Sequence, residues 1–165
     1  MEKKNELLLD VFESLPHKAK SLIFDSNDIL RILDDISIMI DDCQSPIEKI
    51  LFVALAKKFN EIDTWMYVET QTLIECNGKN YYADFTICYD EMLNWFLKED
   101  FNLIIECDGY DFHQKTKEQV DYDNKREYDL KTAGWEIIRF SGREIYNNPM
   151  QCVERILKYI VVKNK

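Results

Sequence analysis

The sequence predicts an α/β fold in which a mixed four-stranded sheet is flanked by helices and preceded by a helical extension. Three observations predict it. A helix opened by a capping box at Ser45-Pro46-Ile47-Glu48, with Ser at the cap, Pro at the first helical position and Glu three after the cap, stands ahead of the strands. Two runs rich in aromatic and β-branched residues, Trp65 to Glu75 and Tyr81 to Tyr89, are separated by Asn77-Gly78, the strongest short hairpin signal. A helical segment then lies between the last two strands, which demands a parallel crossover beside the antiparallel hairpin.

The first segment, about Glu6 to Gln44, carries apolar residues at helical spacing (Leu8, Val11, Phe12, Leu15, then Ile29, Leu30, Leu33, Ile36, Ile40) with acids on the other face. Pro16 and Asp25-Ser26-Asn27-Asp28 break it into two or three helices, the last capped near Ser26 or Asn27. We read residues 1–44 as an acidic helical extension and 45–165 as the main domain. Packing is the extension's ordinary role; a dimerising or partner-binding arm is the sharper one.

The helix opened by Ser45 places Ile47, Ile50, Leu51, Ala54, Leu55 and Phe59 on one face. Phe101 to Cys107 is nearly continuous in Leu103, Ile104 and Ile105, as in a strand covered on both faces, and belongs at the sheet centre. Thr116-Lys117-Glu118-Gln119 forms a second capping box, with the helix running to about Ala133 and Gly134 as its left-handed terminator. Trp135 to Phe140 supplies the fourth strand, and Pro149 to about Val162 the closing helix. Tyr81, Tyr82, Trp95 and Trp135 read as core or sheet packing rather than base-stacking platforms.

Composition bounds the function. The 165 residues are 46% hydrophobic with four Gly and three Pro, which excludes a disordered or collagen-like chain. No apolar run reaches the ~20 residues of a membrane helix, and the start lacks a small-residue cleavage site, so a soluble, cytoplasmic protein is expected. Five scattered cysteines without a Cys-x-x-Cys pair suggest reduced thiols rather than disulfides or a zinc site. The net charge of −10 opposes nucleic-acid binding overall, but it is uneven. Through Asp111 there are 10 basic and 23 acidic residues; from Phe112 onward, 11 and 8. A polyanion surface would come from the C-terminal third.

Three acids stand where acids are expensive. Asp84 lies inside a strand, and Glu106 and Asp108 end the most apolar strand one residue apart, hence on one side. A buried charge costs several kcal/mol unless paired or bound to a cation. Arg126 or Arg139 can supply that partner; so can Mg²⁺, held by two or three carboxylates, the Cys107 carbonyl and waters. Gln119, Asp123 and Arg126, with Leu130, share a helix face, which would aim a polar row at the same place.

With these residues in view, the chain resembles the PD-(D/E)XK nuclease superfamily, and more closely the restriction-endonuclease-like domains related to the very-short-patch repair endonucleases. The resemblance rests on Ser45-Pro46-Ile47-Glu48, Ala83-Asp84-Phe85, Glu106-x-Asp108-Gly109, His113, Asp123-x-x-Arg126-x-x-x-Leu130-x-x-x-Gly134-Trp135, and Arg139-Phe140 before Glu144-Ile145. It covers about Ser45 to Ile160 and leaves the extension unexplained. It implies a restriction-endonuclease-like core and Mg²⁺-dependent (Mn²⁺ as substitute) hydrolysis of DNA phosphodiester bonds. Asp84 and Glu106 would be metal ligands, with Glu48 reaching the site from its helix. Asp108 takes the place of the lysine in the family's name, a departure for which His113 is the nearest proton-handling substitute. Lys115, Lys117, Lys125, Gln119 and Arg126 would meet nucleic acid. Two other classes compete: a nuclease-fold binding or regulatory protein that has lost catalysis, and a small-molecule phosphohydrolase, which lacks a Gly-rich phosphate loop here.

Overall fold

The computed structural model describes residues 2–62, 66–108 and 116–165, the first four of these as backbone only. Three helices come first: α1 (Glu2–Ser14), α2 (His17–Phe24) and α3 (Ile29–Ile36). Pro16 separates the first two. Asp28, not Ser26 or Asn27, caps the third, its carboxylate accepting the Arg31 N–H at 3.1 Å. The Ser26 hydroxyl accepts the Asp28 N–H at 3.1 Å instead, a local turn that moves the cap onward.

Helix α4 (Pro46–Glu61) starts at the expected place but with half of the expected capping box: the Ser45 hydroxyl accepts the Glu48 N–H at 3.2 Å, whereas the Glu48 carboxylate accepts the Gln44 N–H instead of returning to Ser45. Nine of its residues are buried, because α2 and α3 cover one side of it while α7 and the sheet cover the other. Strands β1 (Glu69–Cys76), β2 (Lys79–Cys88), β3 (Asn102–Asp108) and β4 (Glu136–Ser141) lie in the order β1-β2-β3-β4. The first two pairings are antiparallel and the last is parallel. At the hairpin, Asn77 and Gly78 both take positive φ (51° and 69°), the geometry of a type I′ turn. Leu103, Ile104 and Ile105 are fully enclosed at the sheet interior, as their apolar run implies. The strand expected from Trp65 begins at Glu69; Trp65 itself lies outside the described residues.

The crossover helix α5 (Lys117–Thr132) has the full capping box, and Gly134 takes φ +89° just beyond it. A short helix, α6 (Gly142–Asn147), was not expected; Ser141 and Glu144 cap it reciprocally. Helix α7 (Pro149–Lys163) closes the chain. The main core lies between the sheet, α4, α7 and the N-terminal helices. A smaller one, built on Ile74, Tyr81, Ala83, Ile104 and Leu130, joins the opposite sheet face to α5. Tyr82 and Trp95 correct the packing reading, being 63% and 70% exposed. Among the described residues no helix is long and apolar enough to cross a membrane.

Candidate active site

The site begins with a break in strand alternation. On β2, Tyr81 and Ala83 belong to the α5-side core, whereas Phe85 and Ile87 belong to the main core. Strict period two would keep all four on one face, so the strand turns over at Asp84. Opposite this point Gln71 takes φ +50° and pairs with nothing in the ladder, although the β1–β2 register runs unshifted from Thr70↔Phe85 to Thr72↔Ala83. The β2–β3 ladder stops at Phe85↔Ile105. Beyond it the Asp84 side chain takes the ladder's role, Oδ2 accepting the Cys107 N–H at 2.7 Å.

The gap opens into a cleft of about 670 Å³ whose walls include Asp84, Glu106, Asp108, Asp123, Arg126 and Arg139. Glu106 shares the α5-facing side of β3 with Ile104, two residues before it, while Leu103 and Ile105 on the opposite face fill the main core. Only 8% exposed, it receives both arginines weighed from sequence, not one. Arg126 Nη1 donates to Oε1, and Arg139 Nε donates to Oε2 at 2.6 Å. Arg139 sits directly beside Glu106 in the parallel register, whereas Arg126 reaches down from α5 and also donates through Nη2 to the Tyr82 carbonyl at 2.7 Å.

Glu127, which the sequence analysis passed over, extends this network. It accepts from Arg139 Nη1 and from Lys131 Nζ, the latter at 2.6 Å. The Lys131 and Arg139 bonds hold its carboxyl down at about 2. Against the cost of its own burial, Glu127 and Glu106 push the Arg139 guanidinium further above its ordinary range. The spacing of Glu127 four residues after Asp123 was the available signal.

Asp84 behaves differently. Burial raises its carboxyl from 3.8 to about 6; the Cys107 N–H opposes this, while the nearby charges of Glu48 and Glu106 add to it. Glu48 stands behind the cleft rather than on its wall. Its Oε2 accepts the Gln44 N–H at 2.8 Å and the Gln71 side-chain amide at 2.9 Å, so it holds the left-handed Gln71 opposite Asp84. Burial raises the Cys107 thiol far above its ordinary range and the Cys43 thiol to about 12, which makes both poor nucleophiles.

The expected nucleic-acid row is only partly assembled. Gln119 is exposed and does not line the cleft, because its Oε1 accepts the Thr116 N–H at 2.8 Å to complete the cap. One side chain cannot close a capping box and reach the cleft. Lys117 and Lys125 are exposed surface residues. Arg126 lines the cleft, with its guanidinium bonded to Glu106 and to the Tyr82 carbonyl. His113 and Lys115 lie outside the described residues.

Among the described residues no three His, Cys, Asp or Glu side chains are gathered as a ready metal cage. The cleft instead offers carboxylate donors of a hard cation that keeps several waters, those of Asp84, Glu106 and Asp108; Cys107 is not among the residues lining it. The donor set fits, since the Asp84 Oδ1 makes no bond to a described residue, and a carboxylate oxygen holding one guanidinium retains a second lone pair. Residues 75–160, just over half the chain, match the family model REase_MTES_1575, which describes a restriction endonuclease-like family. No curated protein and no solved structure matches the chain.

Proposed function

From the premise that this chain belongs to the restriction endonuclease-like family REase_MTES_1575, we propose that it is a Mg²⁺-dependent endonuclease hydrolysing phosphodiester bonds of DNA, with kinship to the very-short-patch repair endonucleases as part of that reading. The observation that carries it is the convergence of Asp84, Glu106 and Asp108 on one open cleft where the β2–β3 ladder ends.

Asp84 and Glu106, with the Cys107 carbonyl, would hold the metal. Bound there, a divalent ion supplies a more acidic water and neutralises charge developing on the phosphate. The protein's own contribution is positional. The Cys107 N–H fixes one Asp84 oxygen, Glu48 holds the Gln71 side chain opposite it, and two guanidinium groups orient Glu106. Asp108 lines the cleft without the positive charge of a lysine, and Arg126 and Arg139 bring positive charge to the same wall from α5 and β4. His113 is proposed to accept the proton of the attacking water, an imidazole being suited to that near neutrality.

Purified protein should nick plasmid DNA in Mg²⁺ or Mn²⁺, and Glu106→Ala should lower the rate by about 10³-fold or more, as expected when a group acting on the transition state is lost. Unchanged cleavage by Glu106→Ala rejects the assignment. One observation favours a second reading, a nuclease-fold binding or regulatory protein: both Glu106 oxygens are neutralised by arginine. Calorimetry separates the two, since millimolar or tighter Mg²⁺ binding that disappears in Asp84→Asn supports the enzyme, and no binding supports the alternative.

A further inference from the structure

We infer that Arg139 is the phosphate-holding residue of the cleft, reaching the substrate backbone through Nη2; this rests on the phosphodiester reading above. The two arginines of the cleft are held in different ways. Arg126 is spent on the protein itself: Nη1 goes to Glu106, Nη2 to the Tyr82 carbonyl, and its guanidinium lies 5.9 Å from the Tyr81 ring centre. Its side chain is 15% exposed. Arg139 is gripped at two points and left open at a third. Nε is tied to Glu106 and Nη1 to Glu127, while Nη2 bonds to no described residue. Its side chain is 33% exposed and lines the cleft.

A fork fixed by two carboxylates, one on β3 and one on α5, loses little freedom when a ligand arrives. Its free N–H groups suit a phosphate oxygen better than a solvated lysine would. The charges beside it suit such a group: the network of Glu106 and Glu127 with Arg126, Arg139 and Lys131 carries one net positive charge on the cleft wall. In-register pairing places that charge next to Glu106, one strand away from the position where Asp108 replaces lysine.

The test is binding of a fluorescent duplex oligodeoxynucleotide across a KCl series, with Ca²⁺ in place of Mg²⁺. Arg139→Gln should lower the slope of log affinity against log salt by about 0.7–0.9, the loss of one phosphate contact, and weaken binding about tenfold at low salt. Arg139→Lys should restore the slope but not the full affinity, since lysine is a point charge. Arg155→Gln, on α7 and paired with Glu144, should change neither. Wild-type protein provides a second measurement that needs no variant to fold: the Arg139 guanidinium NMR signals should shift on saturation with the oligonucleotide while those of Arg155 stay in place. Wild-type binding with an unchanged slope in Arg139→Gln overturns the inference, as do unshifted Arg139 signals in the bound protein. Absence of wild-type binding instead overturns the nucleic-acid reading, and this inference with it.

Discussion

The helices on the two sides of the sheet are built by opposite means. Helix α4 buries nine residues between sheet and N-terminal helices, and its contacts are almost wholly apolar. Helix α5 is of equal length but buries only Asp129 and Leu130. Polar fastenings hold it: Arg126 to Glu106 and Tyr82, Glu127 to Arg139, and Asp129 to Asn77, Lys79 and the Tyr81 hydroxyl. The α4 side therefore supplies stability through water exclusion, and its two buried charged residues, Glu48 and Lys57, are each held by hydrogen bonds. The α5 side keeps charge and solvent next to the carboxylates, as the proposed anionic substrate would require.

Leu51→Ala should break the apolar side most severely. Leu51 is fully buried, and its truncation is expected to cost about 3 kcal/mol, read as a lowered midpoint in urea unfolding. The polar side should respond in the opposite direction. Because the folded protein raises the Asp84 carboxyl from 3.8 to about 6, it binds that proton more tightly than the unfolded chain does. Stability should thus fall as pH rises from about 4 to 6, and the penalty persists above that window. Asp84→Asn removes it, so this variant should be about 2 kcal/mol more stable than wild type at pH 7.5 without divalent ions and nearly equal to it below pH 4. Added Mg²⁺ should raise the wild-type melting temperature and leave that of Asp84→Asn in place. The smallest effect sharpens the contrast from within the apolar side. Lys57 is buried and donates to the Leu22 and Asp25 carbonyls at the end of α2, at 3.1 and 3.3 Å. Lys57→Met should cost about 1 kcal/mol in thermal unfolding, the worth of its bonds at a helix C-terminus.

Legibility followed the same division. Elements set by local chemistry were readable: Ser45 and Pro46 for α4, Asn77-Gly78 for the hairpin, the unbroken Leu103-Ile104-Ile105 run for β3, and Thr116 with Gln119 for α5. The Ser141–Glu144 box of α6 was equally local, but a six-residue helix carries too little periodicity to stand out beside it. What sequence spacing could not supply was the fate of side chains whose roles depend on distant partners. Gln119 was assigned two uses and serves one. Arg126 and Arg139 were weighed as alternatives and act together on Glu106. The turnover of β2 at Asp84 lies opposite Gln71 in another strand, whose φ is positive, and no pattern within β2 announces it.

Asp129 joins the hairpin tip to the helix across the sheet edge, receiving Asn77 and Tyr81 at 3.1 and 2.7 Å. The β1–β2 tip and α5 therefore form a single jaw. Any outward displacement of α5 must therefore carry the hairpin tip with it or break those bonds.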